Sequence, residues 1–356
     1  MDSYSDYSVD NEFEEKSEII NDNWKENSLF AEFELKMVMN SGHSGLIRTI
    51  KLDPSTNCKY YITGSDDTTV RIWSTSKLKN FNSETKNYQA SLKGGHKMAI
   101  TDLLINPLQT NEVFSCSEDK LALKWDLNKR QIVNQFFGHS SGIKTLSDHP
   151  SIRDLIFTGS KDKSCKIWDS RSKGRELLTL TGHKDTVNKV LTFATDPQVI
   201  TCSNDRTIRF YDLRQTGKCT KIISYHSNPV RTMCKGSEIE GDAFVSASVN
   251  QVFSWDAENA IPLSEFQIKT DVEDSGIISS MNIVNHGKNL LLNTNSGFKY
   301  FDYFSGKKLN LTIKNDPSSK ENILASATNS SLSFGGESDS TVLISSSQQH
   351  LKIFTL

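Results

Sequence analysis

Short apolar or alternating runs recur along the chain, and glycine, asparagine, aspartate or serine residues bound each of them. Examples are Tyr60 to Thr63, Val70 to Trp73, Val199 to Thr201 and Ile208 to Tyr211. Runs of this kind, closed by turn-forming residues, are typical of β-strands. No stretch has the period of about 3.6 residues that an amphipathic helix requires. The pattern therefore predicts an all-β protein.

These strands belong to a repeated unit. Residues 152–171 read IRDLIFTGSKDKSCKIWDSR and residues 195–214 read TDPQVITCSNDRTIRFYDLR. Both have an apolar run, a small residue, a polar turn ending in Asp, and an alternating run that an aromatic residue closes. Closing aromatic residues recur along the whole chain, at Trp73, Trp125, Trp168, Tyr211, Trp255, Phe301 and Phe354. A motif that recurs in this way along the whole chain indicates a repeat architecture, here with seven units.

Two further landmarks mark each of the first four units. Gly-His opens the unit, at His43, His96, His139 and His183, and an Asp lies six residues before the closing aromatic, at Asp67, Asp119, Asp162 and Asp205. The fifth unit has only Tyr225-His226. A buried His needs partners for both ring nitrogens, and an Asp in a tight turn needs donors. A His, an Asp, a Ser or Thr and an aromatic residue of one unit can therefore satisfy one another.

Units that open with Gly-His and close with Trp-Asp resemble WD40 repeats. The resemblance implies a seven-bladed WD40 β-propeller over residues 32–356, with ring closure by an N-terminal strand, Glu34 to Met39, which would complete the last blade and cover two strand edges. It also implies structural hydrogen-bonded tetrads in four units. Their expected members are His43, Asp67 and Trp73; His96, Asp119 and Trp125; His139, Asp162 and Trp168; His183, Asp205 and Tyr211. In the last of them we expect the Tyr211 hydroxyl to donate in place of an indole.

Charge separates the first residues from the rest. The chain has 356 residues and a net charge of −2, but residues 1–31 hold nine acidic side chains against two lysines. Few apolar residues and one dominant charge predict a disordered acidic tail there. No run is long and apolar enough for a membrane helix, and no signal peptide is visible, so we expect an intracellular protein. The six cysteines are scattered singly, which favours reduced, buried thiols over zinc ligands or disulfides.

The recurring His, Asp and Ser or Thr could also be interpreted as a catalytic triad. A triad requires one nucleophile on which a base and an oxyanion hole converge, whereas here the same set recurs in four units. Histidines of different blades also cannot converge on one metal ion. We therefore predict no catalytic residue, no cofactor, no metal and no enzymatic activity.

The amino-acid sequence between these landmarks is similar to that of the pleiotropic regulator family, the WD40 subunit of the spliceosomal NineTeen-associated complex. The phrases that carry the similarity are VFSCSEDKLALKWDL, GHSSGIKTLSDHP, LTLTGHKDTVNKV, TDPQVITCSNDRTIRFYDLR and HSNPVRTM. The resemblance implies a non-catalytic scaffold of the spliceosome that acts in pre-mRNA splicing in the nucleus. Its partners would be spliceosomal scaffold proteins of the Ski-interacting, Myb-related and crooked-neck types, with an indirect association with snRNA. No membrane and no small-molecule substrate are implied.

Residues at equivalent positions of the units define a candidate partner-binding rim. Positions five after the unit histidine give Arg48, Lys144, Asn188 and Arg231, and positions just before the turn aspartate give Asp66, Glu118, Lys161 and Asn204. An ordinary solvated rim is the competing interpretation. A second function also stays open, because Trp168-Asp169-Ser170-Arg171 is similar to the Trp-Asp-x-Arg box of WD40 substrate receptors of cullin-4 type ubiquitin ligases. The candidate box residues are then Trp168, Asp169 and Arg171.

Overall fold

The computed structural model describes residues 30–54, 59–75, 88–107, 109–194, 198–236, 242–249, 251–267, 278–284, 287–294, 297–314, 323–329, 342–347 and 350–355. In these residues the chain is built from β-strands, with a short 3-10 turn at Leu213–Gln215. The predicted acidic tail, apart from its last two positions, lies outside the described residues. Within the described residues, no helix has the length and apolar character needed to cross a bilayer.

The strands pair in chain order, so that most sheets are antiparallel meanders of four strands. Strand β1 (Phe30–Asn40) stands apart from this order and is described below. The first sheet contains β2 (Ile47–Leu52), β3 (Tyr60–Ser65), β4 (Val70–Ser74) and β5 (Tyr88–Leu92). The second contains β6 (Ile100–Ile105), β7 (Glu112–Ser117), β8 (Ala122–Asp126) and β9 (Gln131–Phe136). The third contains β10 (Ile143–Asp148), β11 (Leu155–Ser160), β12 (Cys165–Asp169) and β13 (Leu178–Leu180).

The next sheets continue the same plan. The fourth contains β14 (Val187–Thr192), β15 (Gln198–Ser203), β16 (Ile208–Asp212) and β17 (Lys218–Ile223), and the fifth contains β18 (Thr232–Lys235), β19 (Ala243–Ala247), β20 (Gln251–Asp256) and β21 (Pro262–Gln267). The remaining strands are β22 (Ile278–Val284), β23 (Asn289–Thr294), β24 (Gly297–Asp302), β25 (Lys308–Lys314), β26 (Ile323–Asn329), β27 (Val342–Ser347) and β28 (His350–Thr355). Together with β1 they form one eight-stranded sheet in the order β22-β23-β24-β25-β1-β28-β27-β26.

The expectation of a seven-bladed propeller is therefore wrong, because the described strands form six sheets. The reason lies in β1, which pairs along both of its edges. It runs antiparallel to β28 from Glu34 to Asn40 and parallel to β25 from Phe30 to Glu34. The predicted strand began only at Glu34, so the upstream residues that join the two groups of strands were not foreseen. The fold is an all-β propeller with six blades.

The hydrophobic core is divided among the interfaces between successive sheets. In one such cluster, Ile62 and Val70 of the first sheet pack with Leu103 and Trp125 of the second. Gly64 shows how closely the sheets approach, since a Cβ atom placed there would lie 2.7 Å from Cγ2 of Ile100. Each blade thus buries its apolar face mainly against its neighbours, as in other repeat proteins.

Candidate functional site

The predicted members of the first tetrad meet in the first sheet. His43 Nδ1 lies 2.8 Å from Asp67 Oδ2, and His43 Nε2 lies 2.9 Å from Thr63 Oγ1. The Trp73 indole N–H donates to the same Thr63 hydroxyl at 3.0 Å. An ionised carboxylate can only accept, so Nδ1 of His43 carries the proton and donates it to Asp67. In the neutral ring Nε2 then accepts from the Thr63 hydroxyl, which itself accepts from Trp73.

The next three sheets hold corresponding sets. The Nδ1 to carboxylate distances are 3.0 Å for His96 and Asp119, 2.7 Å for His139 and Asp162, and 2.9 Å for His183 and Asp205. The indoles of Trp125 and Trp168 donate to Ser115 and Thr158. In the fourth unit the Tyr211 hydroxyl donates to the backbone carbonyl of Thr181, and it also interacts with Thr201, whose hydroxyl contacts His183 Nε2. The hydroxyl of a tyrosine lies farther from the backbone than the N–H of an indole and points in a different direction, so it can reach this carbonyl.

The turn aspartates are surrounded by donors. Asp67 accepts from the backbone N–H groups of Ser44 and Thr69 and from the Thr69 hydroxyl, in addition to His43. Burial alone would raise the pKa of Asp67, but the hydrogen bonds from His43 and Thr69 outweigh burial and hold it below its usual value. A carboxylate whose lone pairs are occupied in this way ties the opening loop to the turn, which fits a structural role.

The fifth sheet contains an incomplete set that the sequence pattern only hinted at. His226 Nε2 lies 2.7 Å from Ser246 Oγ, and the Trp255 indole donates to the same hydroxyl. Here Ser246 and Trp255 are nine residues apart, whereas Thr63 and Trp73 are ten apart. The sequence has no aspartate at the turn position of this unit, and among the residues that the structure describes His226 Nδ1 is buried without a hydrogen-bond partner. Burial lowers the pKa of His226 to about 4.

The candidate rim residues form a set of mutual contacts. The Arg48 guanidinium donates to both oxygens of Asp66 at 2.8 Å, and the ammonium groups of Lys144 and Lys161 lie 3.2 Å and 2.6 Å from Glu118. The amide oxygen of Asn204 accepts from Asn188 at 2.8 Å and from Arg231 at 3.3 Å. The rim therefore contains a belt of paired positive and negative side chains, joined by the neutral pair Asn188 and Asn204.

Several rim residues also line a central cavity of about 350 Å³ between the inner strands of the sheets. At its wall Asp102 of β6 accepts from the Thr145 hydroxyl, the Leu146 N–H and the Lys189 ammonium, each at 3.1 Å. Burial alone would raise the pKa of Asp102, but Lys189, Lys51 and the backbone donor lower it to about 2. The sequence pattern did not reveal this buried cluster.

The candidate ligase box is placed differently. Trp168 is fully buried and belongs to the third tetrad, so its ring does not reach the surface. Arg171 has 71% of its side chain exposed and donates to Asp169 at 2.8 Å. A similar local pair joins Arg214 to Asp212 in the fourth sheet. The structure therefore brings Asp169 and Arg171 together on the surface, and neither is among the described residues that line the central cavity.

In the described ranges, no group of three or more His, Cys, Asp or Glu side chains is placed to hold a metal ion. The cysteines Cys116 and Cys202 are fully buried, and burial raises the pKa of the Cys202 thiol to about 12.

Comparison with known proteins first defines the class. A family profile described as "WD domain, G-beta repeat" matches residues 34–74, 130–169 and 174–212. Each of the three segments contains the histidine, the aspartate and the aromatic residue of one tetrad, namely the first, the third and the fourth. The chain therefore contains WD40 repeats.

Individual relatives follow. The chain is 30% identical over 182 residues to the nuclear distribution protein PAC1 of Ajellomyces capsulatus (strain H143), which covers 51% of this chain and 33% of the relative. It is 28% identical over 210 residues to the guanine nucleotide-binding protein subunit beta of Zea mays, covering 55% and 54%. It is 30% identical over 173 residues to the U5 small nuclear ribonucleoprotein 40 kDa protein of Dictyostelium discoideum, covering 49% and 45%. The matches thus span from a third to just over half of each relative's length, and none of the three names is that of an enzyme.

Proposed function

We propose that this protein is a non-catalytic scaffold of the spliceosome and that it acts in pre-mRNA splicing in the nucleus. We further propose that it binds protein partners through the candidate rim at the central cavity. The observation that carries the proposal is the belt of paired charges formed by Arg48, Asp66, Lys144, Glu118 and Lys161. The similarity of residues 110–235 to the pleiotropic regulator family and the match to a U5 ribonucleoprotein component support the choice of splicing.

The belt suits protein recognition because its side chains are already held in place. Arg48 is fixed by a two-point contact with Asp66 while 47% of its side chain stays exposed, and Lys161 is 40% exposed beside Glu118. Binding a partner here costs less side-chain entropy than binding through unpaired lysines would, because the side chains of the belt are already ordered. Alternating charges also discriminate between partners, since a wrong register places like charges together.

The partner chemistry follows from the two signs of charge. A segment with both acidic and basic or amide groups would match the belt, whereas a bare nucleic-acid backbone would meet Asp66 and Glu118 as repulsive groups. We therefore propose direct contacts with spliceosomal scaffold proteins and only an indirect association with snRNA. No turnover of a small-molecule substrate is part of the proposal.

The test is a pull-down of the tagged full chain from nuclear extract, with snRNA and splicing scaffold proteins as readouts. The variant is the triple substitution Arg48→Gln, Lys144→Gln and Arg231→Gln. Neutral glutamine is preferred to glutamate, because a glutamate would repel Asp66 and Glu118 within the protein itself. We expect an unchanged melting temperature and loss of both snRNA and scaffold proteins. Unchanged recovery of both would contradict the proposal.

The matched control is Arg171→Gln, which removes one exposed guanidinium from the candidate ligase box. Its exposure, 71% of the side chain, is the observation that favours the second candidate function, a substrate receptor of a cullin-4 type ligase. Under the splicing proposal Arg171→Gln retains the spliceosomal proteins. If the chain instead recovers a ligase adaptor, and Arg171→Gln alone loses it, the receptor function replaces the scaffold function.

A further inference from the structure

The central cavity has an unusual charge content. Its described lining contains the cations Arg48, Lys51, Lys144, Lys189, Arg231 and Lys235 and, as its single carboxylate among those residues, Asp102. Two of the cations are satisfied at the rim, where Arg48 pairs with Asp66 and Lys144 pairs with Glu118. The other four cations line the cavity together with Asp102, and the half-buried Asp148 beside the cavity also interacts electrostatically with Lys51 and Lys235, so positive charge still exceeds negative charge.

That carboxylate is shared unequally. Asp102 lies 3.1 Å from the Lys189 ammonium and 3.8 Å from the Lys51 ammonium. Burial acts to lower the pKa of Lys189, but the charge of Asp102 keeps that pKa above its usual value. Asp102 also acts to raise the pKa of Lys51, yet burial and the charge of Lys189 outweigh it and leave that pKa below its usual value. Lys51 is therefore an undercompensated positive charge at the cavity wall.

Two more cations have weaker partners still. The Arg231 guanidinium donates to the neutral amide oxygen of Asn204, and the Lys235 ammonium lies 5.7 Å from the centre of the Phe193 ring. Neither forms a salt bridge within the part of the chain that the structure describes. Concentrated positive charge in a half-enclosed space is unfavourable unless a counter-anion enters it.

Geometry narrows the kind of anion. Arg231 directly precedes β18 and Lys235 is its last residue, which places their Cα atoms about 13 Å apart along an extended chain. A single sulfate-sized ion cannot contact both side chains at once as well as a short chain of linked phosphates can. A short chain of linked phosphates carries several negative charges at neutral pH, and an arginine fork matches its oxygens. The side chains of Asn188, Ser279 and Ser280 add neutral polar groups to the same wall.

We propose that the central channel binds a small anion with several linked phosphate groups, held between Arg231, Lys235 and the Lys51–Lys189 pair. The anion is bound and not turned over, and it would act as a counter-charge that joins the inner strands of several blades. Anion binding does not require the proposed splicing partner, although Arg231 belongs both to the candidate rim and to the cavity wall; Lys235 lies in the wall alone and therefore separates the two proposals.

The experiment uses inorganic tripolyphosphate with the full chain, at constant ionic strength, and measures binding by calorimetry and by the shift in melting temperature. We expect saturable binding that raises the melting temperature, with an affinity at least about tenfold higher than for orthophosphate or sulfate. Equal effects of tripolyphosphate and sulfate would mean that only general screening operates, and would overturn the proposal.

The variants are Lys235→Gln and Arg231→Gln, which lie outside the Asp102 cluster and whose exposed side chains can be changed without disturbing the core. Each should weaken tripolyphosphate binding by about tenfold, since each removes one charge-assisted contact. Lys129→Gln is the matched control, because its side chain is 75% exposed and is not among the described channel-lining residues. If both channel variants bind as tightly as this control, the anion does not occupy the channel and the proposal fails.

Discussion

Lys189 Nζ lies 3.1 Å from Asp102 Oδ2, although 87 residues separate the two in the sequence. Lys189 belongs to the fourth sheet and Asp102 to the second, and Asp102 also accepts from Thr145 of the third sheet and Thr49 of the first. One buried carboxylate therefore connects four blades at the channel wall. Blades that otherwise meet through apolar contacts with their immediate neighbours are coupled here by a shared ionic cluster.

Replacing this carboxylate should be costly. Asp102→Ala leaves Lys189 and Lys51 without their acceptor and the Leu146 N–H without its partner, so we expect a loss of about 2–4 kcal/mol in the free energy of unfolding. Urea denaturation would measure it. The control is Asp185→Ala, which removes an exposed carboxylate. A double-mutant cycle with Lys189→Met should show strong coupling, and additive effects would contradict the direct contact.

The turn aspartates should matter for stability and not for a discrete activity. Asp205→Ala removes the acceptor of His183, of the Lys184 and Thr207 N–H groups and of the Thr207 hydroxyl. We expect the free energy of unfolding to fall by about 1–3 kcal/mol. Thermal and urea denaturation provide the readout. A variant with the melting temperature of the unmodified protein would show that the fourth tetrad contributes nothing to folding.

His226 should make stability depend on pH in a defined window. Its folded-state pKa, about 4, lies below the ordinary value of 6.5, so the unfolded chain takes up the proton first as pH falls. The penalty is absent above pH 6.5, grows as pH falls toward 4, and reaches about 3 kcal/mol. His226→Gln cannot titrate, so its stability relative to the unmodified protein should improve by about 2–3 kcal/mol between pH 7 and pH 4.5.

Unfolding by urea at the two pH values measures this difference, and other histidines such as His43 cancel because both chains contain them. An NMR titration of the His226 ring supplies the pKa directly. An ordinary pKa near 6.5, or a parallel loss of stability in both chains, would be inconsistent with the buried and unpaired Nδ1.

Thiol reactivity should follow burial. Cys116 and Cys202 are fully buried, whereas Cys219 is only half-buried. In a Cys58→Ser background, a disulfide reagent at neutral pH should modify Cys219 first in the native protein, and Cys116 and Cys202 only after unfolding in urea. Mass spectrometry of the labelled peptides measures the order. Rapid labelling of Cys202 in the native state would show that its interface between blades opens readily.

The tetrad contacts could be predicted from the sequence because all members of a tetrad belong to one repeat. The spacing from His43 to Asp67 and Trp73 recurs in other units, and this recurrence indicates a local contact. The Asp102 cluster could not be predicted in this way, since its members come from different repeats. Thr49, Asp102, Thr145, Lys189 and Thr232 each lie six residues after the histidine of their unit. Counting from those histidines across units would have placed Asp102 and Lys189 in one layer of the channel wall, but no local pattern signals a contact between blades.

The blade count failed for a related physical reason. A strand has two edges, and the sequence of β1 gives no indication of which strands they meet. Residues 30–34 pair with β25, and this parallel pairing merges two groups of strands that the repeat pattern counted separately.

The double pairing of β1 has a consequence for the synthesis of the chain on the ribosome. Strand β1 is made early, yet its partners β25 and β28 begin about 270 and 310 residues later. At typical elongation rates of roughly 5–20 residues per second, β1 waits on the order of 15–60 s with both edges unpaired. During that interval the nascent chain carries an unpaired strand that a chaperone or a neighbouring nascent chain can capture, and the pairing of β1 is complete only when β25 and β28 have left the exit tunnel.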